Sequence, residues 1–138
     1  MPESEACFID TNVWLYAFTD DDTLKKEIAQ TLIKGSQPVI SVQVINETCV
    51  NLIKRAKFPE TQIGELVESF YQKYDVIDVH KGLLLSASQL RQEYALSYWD
   101  SMIVAAALTS GVKILYSEDM QNGLVIHESL KIINPFKR

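Results

Sequence analysis

Asp10 stands inside the apolar run CFIDTNVWLYAF, where a carboxylate is costly to bury unless something neutralises it. Three further acids lie beside apolar segments: Glu47 in SVQVINETCV, Asp100 in YWDSMIVAAAL and Asp119 in ILYSEDM. Each has an ordinary explanation when taken singly. Asp10 can cap the helix that TNV begins, and Asp100 follows Ser97 at capping-box spacing. Glu47 can be a surface acid and Asp119 a turn residue. Taken together, four converging carboxylates would repel one another unless a cation sits among them. Cys7 and Cys49 form no CxxC pair, and His80 and His127 are the only histidines. A disulfide framework or a zinc site is therefore disfavoured, and an oxygen site for Mg²⁺ or Mn²⁺ is favoured. Such an ion polarises a phosphoryl oxygen and activates a water, so the residue types point to a metal-dependent phosphodiester hydrolase that needs no Ser, Cys or His nucleophile.

Convergence depends on the elements that carry the acids. EACFI reads as a buried strand ending at Asp10, and TNVWLYAF continues with helical spacing at Val13, Tyr16 and Ala17. TLKKEIAQTLIKG predicts an amphipathic helix with Leu24, Ile28 and Leu32 on one face and Gly35 as its stop. The preceding Asp20, Asp21 and Asp22 suit its positive end better than a metal. QPVIS is a second strand, and Ser41 caps VQVINETCVNLIKRAK, whose buried stripe is expected at Val42, Ile45, Cys49 and Ile53. Pro59 opens a helix that turns Ile63, Leu66, Val67 and Phe70 inward, and DVIDV follows as a strand. KGLLLSASQLRQEYAL and YWDSMIVAAALTSG predict two more helices, the second with Trp99, Met102, Ile103 and Ala106 at helical intervals and Gly111 at its end. VKILYSED and LKIINP are the last strands. The alternation implies one α/β domain with a parallel sheet covered by helices. In such sheets the functional crevice lies beyond the carboxyl ends of the strands, where Asp10 and Asp119 fall and toward which Glu47 and Asp100 can project.

Composition narrows the class further. The chain of 138 residues is 47% hydrophobic and 22% charged, with five Gly and four Pro, as expected of one compact domain. Stretches such as MIVAAAL are too short to span a bilayer, and the acidic start MPESEA lacks the basic flank of a secretory signal, so a cytoplasmic protein without membrane association is expected. Thirteen basic against eighteen acidic residues give a net charge of −5, which disfavours a broad basic surface. Lys54, Arg55 and Lys57, and the closing KR, leave a small positive rim.

The ordered set FIDTNV, SVQVINE, YWDSMIVAAAL and YSEDMQNG resembles the PIN-domain ribonucleases, and most of all the VapC-type toxins of bacterial toxin–antitoxin pairs. The resemblance spans nearly the whole chain and implies one PIN-like domain over residues 1–138. It further implies a three-layer fold with a five-stranded, mostly parallel sheet between helices, commonly assembled as a homodimer. Position by position, it makes Asp10, Glu47, Asp100 and Asp119 the acids around one or two Mg²⁺ or Mn²⁺ ions. Asp10 and Asp100 would be direct ligands, Asp119 would complete the shell or hold a bound water, and Glu47 would orient water or help a second ion. Asn12 and Ser117 match polar positions beside those acids and would hold them by hydrogen bonds. The implied activity is endonucleolytic hydrolysis of RNA, and the implied partner is an antitoxin whose segment occupies the acidic cleft. Glu118, beside Asp119, leaves the fourth acid open.

Three rivals remain at this level. An aspartyl-phosphate hydrolase would need an aspartate where the chain has Asn12. A nucleotide-binding module would need a glycine-rich loop, and the five glycines are scattered. A non-catalytic α/β interaction domain, or a PIN-type RNA-processing protein without a toxin role, fits the same elements.

Overall fold

A computed structural model describes residues 5–137; most of the acidic start and Arg138 of the closing basic pair lie outside them. The strands are β1 (Ala6–Ile9), β2 (Gln37–Ser41), β3 (Asp75–Ile77), β4 (Ile114–Tyr116), β5 (Val125–Ile126) and β6 (Leu130–Ile133). The helices are α1 (Thr11–Phe18), α2 (Thr23–Lys34), α3 (Val42–Ala56), α4 (Glu60–Lys73), α5 (Lys81–Glu93) and α6 (Tyr98–Ser110). One sheet runs in the order β3-β2-β1-β4-β6-β5, parallel throughout except for β5. Phe8 is the centre of its register, opposite Val39 on one side and Leu115 on the other. From β1 the chain builds outward to β2 and β3, then returns to place β4 on the other flank of β1. The carboxyl ends of β1 and β4 thus form the switch point at which open α/β sheets bind ligands.

Five strands were expected and six are present among the described residues, because the antiparallel β5 is joined to β6 by a tight turn with no glycine or asparagine to announce it. His127 and Glu128 both take positive φ, 49° and 57°, as a hairpin turn that matches strand twist requires. Tyr94 Oη accepts the His127 N–H at 3.0 Å, and the His127 ring meets Glu93 at 2.8 Å, which holds that unfavourable backbone in place.

α6 is buried around its circumference from Ser101 to Ala107, as expected of a helix without a polar face. Its start is the exception, since Trp99 is 64% exposed instead of continuing the apolar repeat inward. The inward face of α3 is Val44, Ile45, Thr48 and Leu52, rotated from the expected stripe, and Ile53 points outward. The rotation follows from packing, for α3 is wedged between α1 and α4 as well as against β2. On α2 the buried residue is Ala29, with Ile28 and Leu32 half-buried and Leu24 exposed, because the helix approaches α1 and β2 closely. Both cysteines are free, Cys7 buried and Cys49 partly so. Among the described residues no helix is long and apolar enough to cross a membrane.

Candidate active site

β1 ends because Asp10 turns the chain into α1, and its side chain does two things at once. One carboxylate oxygen accepts the Thr11 N–H at 2.7 Å, capping the helix, and the other accepts the Ser117 hydroxyl at 2.9 Å. The backbone N–H of Asp10 donates to the Tyr116 carbonyl at 2.9 Å, tying the ends of β1 and β4 together. Ser117 is fully buried, and its oxygen also accepts the Met120 N–H at 3.2 Å. Capping and site membership are therefore compatible roles for Asp10.

The turn after β4 separates the two acids that the sequence left ambiguous. Asp119 is exposed and accepts a hydrogen bond from the Asn12 side-chain amide, so it joins the edge where α1 begins. Glu118 turns the other way. It forms an ion pair with Lys25 of α2 and accepts the Tyr16 hydroxyl at 2.8 Å. Lys25 also lies over the rings of Tyr16 and Phe136, 4.9 and 5.4 Å from their centroids. Glu118 is thereby committed to holding the turn, and Asp119 remains available.

Asp100 lies in the first turn of α6, where the Ser97 hydroxyl accepts its backbone N–H at 3.1 Å. Capping of that helix employs the Asp100 backbone and leaves the carboxylate unused. Glu47 is exposed on α3 and accepts the Gln43 amide at 3.1 Å; that same amide reaches the Trp99 carbonyl at 3.5 Å, bridging α3 to the start of α6.

Electrostatics relate the four acids. Burial pushes the Asp10 carboxyl up to about 6, and the charges of Asp100 and Glu47 push the same way, against the opposing hydrogen bonds from Thr11 and Ser117. Asp119 is also raised, first by burial and then by the charges of Glu118 and Asp100, with Lys25 opposing. Asp100 thus acts on both Asp10 and Asp119, and Glu47 acts on Asp10. Among the described residues no group of three or more Asp, Glu, His or Cys side chains stands close enough together to hold a metal ion. Those pairwise couplings are what relates the acids, and the nearby cation, Lys25, is paired with Glu118. The acids' donor atoms are all oxygen, the type that a hard divalent ion takes.

Sequence reading missed Lys25, Tyr16 and Gln43. Gln43 precedes Glu47 by one helical turn and carried a weak signal. Lys25 is 93 residues from Glu118, and one of two adjacent lysines gives no hint of such a pairing.

The model of the PIN domain family matches residues 7–121, and the chain belongs to that family. No curated protein matches the sequence. Solved structures share the fold at low identity. A toxin–antitoxin complex from Klebsiella pneumoniae aligns at TM-score 0.71 and 19% identity, covering 96% of this chain and 99% of that one. VapC20 of Mycobacterium tuberculosis, a toxin that cleaves the sarcin-ricin loop, aligns at TM-score 0.66 and 22% identity, covering 82% and 89%. VapBC2 of Rickettsia felis, bound to a DNA fragment from its promoter, aligns at TM-score 0.60 and 19% identity, covering 84% and 89%.

Proposed function

We propose that the chain is a metal-dependent endoribonuclease and the toxin component of a type II toxin–antitoxin pair. The observation that carries this reading is Asp10, a carboxylate held at the β1–β4 switch point with its acidity weakened by burial and by the charges of Asp100 and Glu47. Capping α1 needs only a polar side chain such as Ser, Thr or Asn, whereas a bound cation gives a reason for a charged one. Asp10, Asp100 and Asp119 would hold Mg²⁺ or Mn²⁺. When bound, such an ion polarises a phosphoryl oxygen and supplies a water of lowered pKa. The chain's own residues hold the donors in place: Thr11 and Ser117 fix the two oxygens of Asp10, and Asn12 fixes Asp119. Glu47, exposed and steadied by Gln43, would orient a water toward the phosphorus. Membership in the PIN family, and likeness to a toxin that cleaves a loop, support the reaction class.

Accessible loops are the favoured substrate, because a splayed strand can bring one phosphate down to a recessed site and a regular duplex cannot. The test incubates purified protein with loop-containing RNAs in Mg²⁺, Mn²⁺ or EDTA and maps the new ends. Cleavage that needs the metal and leaves a 5′-phosphate and a 3′-hydroxyl is expected. EDTA-resistant cleavage or 2′,3′-cyclic phosphate products would overturn the mechanism.

The assembly is proposed to be a homodimer that an antitoxin silences by inserting a basic side chain among the acids. An apolar groove of about 500 Å³ runs between α3, α5 and the start of α6. Val79, Leu84, Tyr98 and Trp99 are exposed along it, an apolar rim that a second copy could cover. Light scattering should give twice the chain mass for the wild type and the monomer mass for Trp99→Glu; a monomeric wild type at micromolar concentration would rule the dimer out.

A further inference from the structure

α3 carries Glu47, Asn51 and Arg55 at intervals of four, so the three side chains share one face of the helix. Between that face and α1 lies a second, polar cleft of about 180 Å³, lined by Asn12, Tyr16, Thr19, Asp21, Asn51 and Arg55. Its inner end meets the acidic edge through Asn12, while Asn51 bonds back to its own helix. Asn12 donates to Asp119, and the Asn51 amide donates to the backbone carbonyl of Glu47 at 2.8 Å. Its outer end is Arg55, about 12 Å along the helix axis from Glu47 at 1.5 Å per residue.

The hydrogen-bonding inventory of the cleft distinguishes Arg55 from its neighbours. Tyr16 donates to Glu118, Thr19 to the Leu15 carbonyl, and Asn12 and Asn51 as above. Arg55 has five N–H donors, and its one ion-pair contact is Asp21 at 3.5 Å, with the two side chains 58% and 62% exposed. A pair so long and so wet holds weakly. A phosphate can displace Asp21 and take the guanidinium fork through two parallel hydrogen bonds, an arrangement for which lysine is a poor substitute. Lys54 and Lys57 on either side raise the local potential without lining the cleft. In a chain of net charge −5, Arg55 gives a polyanion a cation to bind beside an acidic site that would otherwise repel it.

We propose that the α1–α3 cleft is a backbone-binding subsite in which Arg55 holds a phosphate of the single strand a short distance from the one being cleaved, with Asp21 as a displaceable counter-ion. The proposal rests on the ribonuclease reading above and gives the strand a direction of travel: across the acids, past Asn12 and Asn51, and out along α3.

Fluorescence anisotropy of a labelled, unstructured oligoribonucleotide, measured in EDTA so that the strand stays intact, tests it. Arg55→Ala should weaken binding about tenfold, the loss of roughly one charge-assisted contact, and should lower the slope of log K against log salt by about 0.7. Arg55→Lys should recover the salt slope and only part of the affinity. Asp21→Asn should tighten binding several-fold, a sign that a merely structural role for the ion pair would not produce. Lys113→Ala, at the opposite edge of the sheet before β4, should bind as the wild type does. The same strand as DNA should show the same Arg55 dependence, since the contact is to phosphate; dependence confined to RNA would overturn that assignment. A wild type that cleaves RNA while Arg55→Ala binds as tightly as the wild type overturns the subsite and leaves the nuclease reading intact. A wild type that binds no strand at low salt also overturns the subsite, while the nuclease reading is decided separately by the metal-dependent cleavage assay.

Discussion

Asp10→Asn is expected to lower the cleavage rate on the order of a thousandfold or more while making the metal-free protein more stable. The stability half follows from the displacement of the Asp10 carboxyl from 3.8 to about 6, which corresponds to about 3 kcal/mol against the folded state once the group is ionised in both states. The sign follows from proton binding. Between those two values the folded chain holds a proton that the unfolded chain has released, so stability falls as pH rises through that window. Below about pH 4 the penalty is absent, and above pH 6 to 7 it is complete. Asparagine is nearly the same size and can still accept the Thr11 N–H through its oxygen. Its amide would meet the Ser117 hydroxyl, which must then give up donating to residue 10, and that lost bond offsets roughly 1 kcal/mol of the gain. The variant should therefore melt several degrees above the wild type at pH 8 in EDTA and level with it at pH 4. Mn²⁺ should raise the wild-type melting temperature and close the gap by binding linkage, with a smaller effect on the variant. Equal melting temperatures at pH 8 in EDTA would show that the Asp10 carboxylate is not destabilised by its surroundings, and equal responses to Mn²⁺ would show that it is not a ligand.

Much of this arrangement was legible because elements announce their ends locally. Ser41 and Ser97 cap α3 and α6 by accepting the N–H three residues on, and Gly111 closes α6 at a positive φ of 78°. Those boundaries fix where Asp10, Glu47 and Asp100 fall relative to the sheet edge. What was not legible depends on partners distant in sequence. The β5–β6 turn uses His127 and Glu128 where a hairpin normally uses Asn-Gly, and its support comes from Glu93 and Tyr94 at the end of α5. The face of α3 is chosen by two helices packed against it, so an apolar count along its own sequence selected Ile53 where Leu52 is buried. The different surroundings of Glu118 and Asp119 are set by Lys25 and Tyr16, and no spacing rule reaches from α2 to the turn after β4.

Trp14→Ala is expected to cost about 3–5 kcal/mol, a large share of the stability of a domain of this size. Trp14 is 1% exposed, meets Phe70 edge-on with centroids 5.3 Å apart, and meets Tyr74 at the same distance. It therefore joins α1 to the end of α4 across the core, and its removal leaves a cavity that two aromatic rings held by their own helix cannot fill. A domain of this size has about 5–15 kcal/mol in total, so the melting temperature should fall by roughly 10–20 °C. The indole does more than fill space. Its N–H donates to the Ile9 carbonyl at 3.0 Å, the peptide that leads into Asp10. Trp14→Phe separates the two roles: it retains most of the aromatic contact and leaves that buried carbonyl without the indole donor, at about 1–3 kcal/mol. If the indole positions the site as well as the core, Trp14→Phe will lose a larger share of its Mn²⁺-induced stabilisation than a core truncation of equal cost placed away from β1, such as Leu90→Ala on α5. Equal losses in the two variants would confine Trp14 to the core, and a Trp14→Ala protein within 1 kcal/mol of the wild type by urea titration would refute the packing account itself.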